Sequence, residues 1–216
     1  IAITYIDTIK IFSNDAINGQ HVFLMQGTGS DSVYAPGSVL WSHELEEGDG
    51  AVGGISVMSD LNNDDIDEIV AVGPLGITYC VSGFSSGSAD VFWQQDFANN
   101  VFAPIDLEQT SVIVANSDLS GDGRTDVIIG SGDEDRSVYA LDGSSGVILW
   151  RWDSGSVGAE GAVHVVESSN DYNGDGANDP VVLIGIEEGD TPRLVRLNGA
   201  NGRPNWVVNP GQALTV

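Results

Sequence analysis

SVIVANSDLSGDGRTDVIIGSGDEDRSVYALDGSSGVILWRWD, residues 111–153, holds four short apolar runs at 111–117, 126–132, 137–143 and 147–153. The runs are rich in β-branched and aromatic residues and are bounded by Gly, Asp, Asn and Ser, so they read as four β-strands, A to D. No window sustains the 3.6-residue period of an amphipathic helix. Strand B is apolar on both faces, as expected of a strand with sheets stacked in front and behind. Between A and B, Asp118, Ser120, Asp122 and Asp126 set oxygen side chains at positions 1, 3, 5 and 9 of a tight loop. Such an array suits a hard cation.

The same unit recurs. Trp41, Trp93, Trp150 and Trp206 are separated by 52, 57 and 56 residues. Copies of the acidic loop precede three of them: SDLNNDDIDEIVAVG (59–73), SDLSGDGRTDVIIG (117–130) and NDYNGDGANDPVVLIG (170–185). Pro180 opens strand B of the last unit, where a missing N–H is tolerated. Four-stranded units repeating every 40–60 residues predict an all-β fold, a β-propeller of four-stranded antiparallel blades. A β-sandwich would not predict the regular Trp spacing. Residues 1–216 then form a single domain of about four blades, with boundaries near 1–48, 49–103, 104–157 and 158–216. The first unit is worn, and the tail GQALTV has the pattern of another strand A. This favours a segment of a larger ring, or a half-ring completed by a partner, over a closed four-bladed ring.

Composition narrows the partners. Thirty-two acidic residues face seven basic ones, a formal charge of −25. Nucleic acid and anionic membrane surfaces are disfavoured, because binding phosphate needs the opposite sign. Three divalent cations would still leave about −19, so the surplus predicts work in salty or cation-rich surroundings that screen self-repulsion. No apolar run approaches the roughly 18 residues a membrane helix needs. Cys80 is the sole cysteine and lies in the strand-like ITYCVSG, which predicts a small buried hydrophobe. No signal peptide is visible and the chain begins with Ile1, the pattern of a processed chain or of part of a longer one.

Two resemblances follow from these residues. The loop-plus-strand element resembles the FG-GAP repeat, also called VCBS or integrin α-like, with its D-x-[DNS]-x-D-G-x-x-[DE] pattern. The C–D element resembles the quinoprotein-type (PQQ-like) propeller repeat, A-x-D-x-x-x-G-x-x-x-W, which Ala140, Asp142, Gly146 and Trp150 match. Asn198, Gly202 and Trp206 match it in the last unit, with Arg196 in place of the alanine. VYAPGSVLW (33–41) is a shortened copy, and YCVSGFSSGSADVFW (79–93) carries extra residues. In quinoprotein-type propellers this Trp docks one blade on the next, a structural task that implies no bound quinone.

The FG-GAP resemblance implies calcium as cofactor, at about three structural sites. Asp118, Ser120, Asp122 and Asp126 would ligate it with the Arg124 carbonyl, and Gly123 would take the positive φ. Asp171, Asn173, Asp175, Asp179 and the Ala177 carbonyl form the matching set, with Gly176 at the turn. The second unit offers Asp60, Asn62, Asp64, Glu68 and the Ile66 carbonyl, but Asp65 replaces the turn glycine, which predicts a weaker or more adaptable site. The first unit, FSNDAINGQHVFLMQG (12–27), lacks the acidic set and is expected to bind no ion. A helical calcium loop would place Glu at position 12, where this chain has Ile129 within an apolar strand. Oxygen-only donors disfavour zinc and copper. Good turn-forming chemistry alone would explain one such loop; three in register favour metal.

Catalysis is not indicated. GFSSG (83–87) has the G-x-S-x-G form but lies in a strand–strand turn without the required helix. HELEE (43–47) lacks a second His for zinc. His164, alternating with valines, reads as a packed strand residue, and GDEDRS (132–137) as a solvated hairpin tip. The expected function is therefore a non-enzymatic, calcium-binding module, extracellular or at the cell surface, serving binding, adhesion or structure. Its partners would be a protein or glycan, or further copies or blades of the same assembly, with no nucleic acid and no membrane insertion. A quinoprotein-like dehydrogenase and a calcium-dependent polysaccharide lyase are the enzyme alternatives.

Overall fold

The alternation of β-branched runs with Gly- and Asp-rich turns leaves the chain little choice but strands. The computed structural model describes residues 54–72, 77–84, 90–96, 113–115, 117–132, 136–186 and 189–209, with strand segments 10–12, 22–26, 41–44 and 87–88. In chain order the strands are β1 (Lys10–Phe12), β2 (Val22–Gln26), β3 (Trp41–Glu44), β4 (Gly54–Met58), β5 (Glu68–Val72) and β6 (Ile77–Val81). They continue with β7 (Gly87–Ser88), β8 (Val91–Asp96), β9 (Ile113–Ala115), β10 (Val127–Gly130), β11 (Ser137–Leu141) and β12 (Ile148–Asp153). A 3-10 turn at Ser154–Val157 leads to β13 (Val163–Glu167), β14 (Val181–Ile184), β15 (Arg193–Leu197) and β16 (Pro204–Val208).

Three sheets are antiparallel meanders, ordered β4-β5-β6-β8, β9-β10-β11-β12 and β13-β14-β15-β16. Each carries one acidic loop between its first two strands, as the repeat predicts. The chain is all-β, built of four-stranded blades stacked in propeller fashion, and the described sheets do not close into a ring. The first sheet departs from the pattern. Its order is β1-β2-β3-β7, and β7 joins β3 in parallel register from inside the second unit's C–D connection. The extra residues of YCVSGFSSGSADVFW supply that strand. The shortened copy expected at residues 33–41 lies, apart from Trp41, outside the described residues.

Stacking follows from strand B. Val127 and Ile129 face the second blade, packing with Val70, Val72, Cys80 and Trp93, while Ile128 on the other face packs with Val163, Val182 and Val195 of the fourth. All three blade-three residues are fully buried. The innermost strands β4, β9 and β13 abut in that order. The three described acidic A–B loops therefore lie toward the same face of the stack.

The Trp of the C–D element docks one blade on the next, as the resemblance implies. Trp93 Nε1–H donates to the Gly143 carbonyl (2.7 Å), and Trp150 Nε1–H to the Gly199 carbonyl (2.7 Å). The indoles lie so close to Gly146 and Gly202 that an added methyl would meet ring carbon at 2.6 and 2.5 Å. A second link repeats beside it. The amides of Thr125 and Asn178 donate to Ser59 Oγ (3.3 Å) and Ser117 Oγ (2.7 Å) of the preceding blade.

Candidate metal centre

The three acidic loops share one hydrogen-bonding plan. Each winds around the carboxylate at position 1. Asp118 Oδ1 accepts from the amides of Gly121 (2.6 Å) and Asp122 (3.1 Å), and Oδ2 from Gly123 (2.8 Å). Asp171 does the same with Gly174, Asp175 and Gly176. Asp60 takes four amides, from Asn62, Asn63, Asp64 and Asp65. The position-5 carboxylates of Asp64, Asp122 and Asp175 each accept the amide of position 7, in Ile66, Arg124 and Ala177. Position 3 contributes Asn62 Oδ1 and Asn173 Oδ1, which accept from the position-5 amides, and Ser120 Oγ, 3.4 Å from Asp118 Oδ1.

So tight a wrap needs left-handed backbone. Position 6 adopts it as expected: Gly123 at φ +87, Gly176 at φ +97 and Asp65 at φ +67. Position 4 adopts it too, in Gly121 (+85), Gly174 (+78) and Asn63 (+64). The sequence signal for it was the Gly-Asp-Gly triplet, with Asn63 the tolerant stand-in. A methyl added at Gly123 or Gly176 meets nothing within 4 Å. Gly123→Ala and Gly176→Ala should thus report backbone strain alone, destabilising by about 1–2 kcal/mol in urea titrations. A neutral result would contradict the left-handed assignment.

Position 9 behaves differently from the rest. Glu68, Asp126 and Asp179 are fully buried. Asp126 Oδ2 accepts from the Leu119 (2.6 Å) and Ser120 (2.7 Å) amides, while Oδ1 accepts from Gly143 (2.8 Å) in the C–D turn. Asp179 joins the Tyr172 and Gly199 amides and the Asn205 side chain, and Glu68 joins those of Leu61 and Gly83. These carboxylates strut the loop against the C–D turn of their own blade. Among the described residues no three acidic, His or Cys side chains converge closely enough to hold a metal ion. The geometry thus groups positions 1, 3 and 5 on one exposed rim and directs the ninth side chain inward to amides.

Lone pairs decide what remains for a cation. A carboxylate has about four acceptor sites. Asp60 accepts four amides and Asp118 three amides and the Ser120 hydroxyl, so the two loops are alike in this respect. The free donors are all oxygen, which fits a hard cation such as calcium.

Electrostatics separates the two carboxylate classes. Partial burial raises the pKa of Asp118, but the amides of Gly123, Gly121 and Asp122 and the Ser120 hydroxyl outweigh it and hold the group below the ordinary range. Asp60 follows the same balance, and the Gly176 amide leads the lowering of Asp171. Burial pushes Asp126 up against the pull of the Gly143, Leu119 and Ser120 amides, with the Asp142 charge adding to it. Burial raises Glu68 as well.

Cys80 and His164 are packed side chains. Cys80 is fully buried, beside Met58 Sδ at 3.9 Å, and burial pushes its thiol up to about 12. His164 is packed in β13 at 5% exposure. GFSSG lies between β6 and β8, and His43 lies in β3. No helix among the described residues is long and apolar enough to cross a membrane.

No protein-family model matches the chain, and no curated protein matches it. Among solved structures it is similar to Sqt1 of Saccharomyces cerevisiae at 10% identity and a TM-score of 0.57, covering 92% of this chain and 48% of that one. BamB from Moraxella catarrhalis gives 14% identity, a TM-score of 0.45 and coverage of 96% and 52%. A rhamnogalacturonan lyase of Bacillus licheniformis gives 14% and 0.45, with coverage of 91% and 44%. The chain spans about half the length of these structures, and the likeness is one of fold.

Proposed function

We propose that the chain is a non-enzymatic β-propeller module stabilised by calcium, working outside the cell or at its surface in binding, adhesion or scaffolding. The observation that carries this reading is the threefold loop plan, with oxygen-only side chains on one exposed rim at the same place in each blade. Asp118, Ser120 and Asp122 with the Arg124 carbonyl would hold one ion, and Asp171, Asn173 and Asp175 with the Ala177 carbonyl another. Asp60, Asn62, Asp64 and the Ile66 carbonyl form the weaker third. Glu68, Asp126 and Asp179 brace these rims from beneath. A bound ion would neutralise the rim carboxylates and tie strand A to strand B. Calcium sites of this kind are useful where calcium is abundant, which favours an extracellular setting. A protein or glycan would be met through the loops, where Phe84 (67% exposed) and Tyr172 (63%) present aromatic surface.

Thermal melts in calcium, in magnesium and in chelator test the reading. Calcium at a hundredfold excess over a single site's Kd should stabilise by about 2.7 kcal/mol, a rise of roughly 5–11 °C for a chain of this size. Magnesium, which demands tighter octahedral geometry, should do less. Three coincident curves would reduce the loops to turns and remove the argument for location. A bound-quinone absorbance or cleavage of pectic polymers would replace the binding reading with one of the two enzymes.

A further inference from the structure

The position-5 carboxylate distinguishes the three acidic loops from one another. In each loop one oxygen, Oδ1 of Asp64, Asp122 or Asp175, accepts the position-7 amide. The other oxygen meets a side-chain NH2 in two of them. Asn62 Nδ2 donates to Asp64 Oδ2 (3.0 Å) in the second blade, and Asn198 Nδ2 to Asp175 Oδ2 (2.5 Å) in the fourth. In the third blade Ser120 stands in the place of Asn62, and Asp142 in that of Asn198. The Ser120 hydroxyl is turned to Asp118, and Asp122 Oδ2 accepts no hydrogen bond among the described residues.

Hydrogen bonds fix what Asp142 presents instead. Asp142 and Asn198 hold equivalent places at the start of the C–D turn. The next amide, of Gly143 or Gly199, donates to Oδ1 of the position-9 carboxylate, Asp126 or Asp179. Oδ1 of each side chain accepts the amide three residues on, from Ser145 (3.0 Å) or Asn201 (2.9 Å). Asp142 Oδ2 therefore stands where Asn198 carries its Nδ2, turned toward Asp122 as Asn198 is turned toward Asp175. Partial burial raises the Asp142 carboxyl, but hydrogen bonds from Ser144 and Ser145 outweigh it and hold the group below the ordinary carboxylate range. It is ionised at neutral pH, so it offers Asp122 no proton. Carboxylates that face each other repel unless a positive charge or a proton lies between them.

We propose that Asn62 and Asn198 do in the second and fourth loops what a divalent cation does in the third, so that the third loop is the tightest cation site and Asp142, outside the loop, sets its affinity. This rests on the calcium reading above. A cation entering the second or fourth loop must displace an NH2 donor before it can use the outer oxygen. In the third loop it displaces nothing and relieves the repulsion between Asp122 and Asp142. Calcium affinity rises with the negative charge that faces the ion.

Calcium titration calorimetry at about 0.15 M salt, paired with thermal melts in chelator, is the test. Asp142→Asn copies the fourth blade and keeps the turn's hydrogen bonds. It should weaken the tightest site roughly tenfold or more. Asn198→Asp copies the third blade and should tighten the fourth-blade site by a similar factor. In chelator the order reverses: Asp142→Asn should melt above the wild type and Asn198→Asp below it. A wild type that takes up no calcium refutes the calcium reading and the ranking of sites with it. Calcium uptake whose tightest Kd is unchanged in Asp142→Asn overturns this proposal alone. A chelator midpoint that Asp142→Asn leaves unmoved or lowers overturns it too, whether or not calcium binds.

Discussion

Trp93→Ala is expected to destabilise the chain by about 3–5 kcal/mol, a large share of the 5–15 kcal/mol that holds a typical domain together. The ring is 8% exposed and packs with Val70, Val127 and Leu141 across the second and third blades. Its N–H also satisfies the Gly143 carbonyl. Trp93→Phe keeps most of the apolar area but strands that carbonyl, so it should cost less, about 1–3 kcal/mol. The reciprocal change tests the geometry. Gly146→Ala meets two costs, a left-handed φ of +72 and a methyl 2.6 Å from the Trp93 ring. Together they predict a loss of about 2–4 kcal/mol. In a Trp93→Ala background the collision is gone, so Gly146→Ala should cost only its backbone share, about 1–2 kcal/mol. Urea unfolding of the four proteins in this cycle measures the coupling. Strict additivity would mean that the indole and the glycine do not touch.

This docking was legible in the sequence because it is local and periodic. Ala140, Asp142, Gly146 and Trp150 sit in one hairpin, so their spacing survives in every unit that keeps the turn. The strands were legible for the same reason, the third unit's falling at 113–115, 127–130, 137–141 and 148–153, within the apolar runs. The second left-handed position of each loop was present in Gly121 and Gly174 but hidden in Asn63, where tolerance of positive φ does the work of a missing Cβ. Two features were not legible because they depend on contacts across the fold. The inward turn of Asp126 depends on Gly143, 17 residues away, whose amide needs an acceptor once the C–D turn is buried. The parallel addition of β7 to the first sheet joins Trp41 to Gly87. Nothing in the local pattern of either residue encodes that partner.

Asp126→Ala should approach the loss of Trp93, at about 2–5 kcal/mol, because it orphans one buried amide at roughly 1–3 kcal/mol and two part-buried amides at less each. Those amides belong to Leu119, Ser120 and Gly143, so the change would release the acidic loop from the C–D turn. Asp126→Asn keeps one oxygen but turns an NH2 toward a donor, and should cost about 2–3 kcal/mol. Acid separates this strut from the loop rim. Burial raises the Asp126 pKa, so the folded chain holds that proton more tightly than the unfolded chain. Its stabilising contribution is complete below the ordinary carboxylate range and is lost as pH rises through the raised value. The margin of the wild type over Asp126→Asn should therefore widen as pH falls from neutral through that window. Asp118 and Asp171 have the opposite sign: lowered pKa values give stability that is present above the ordinary range and lost as pH falls below it. The margin over Asp118→Asn should shrink on the same titration. Parallel pH dependence in the two variants would refute the division of each loop into an outer rim that a cation can reach and an inner carboxylate that ties the loop to its blade.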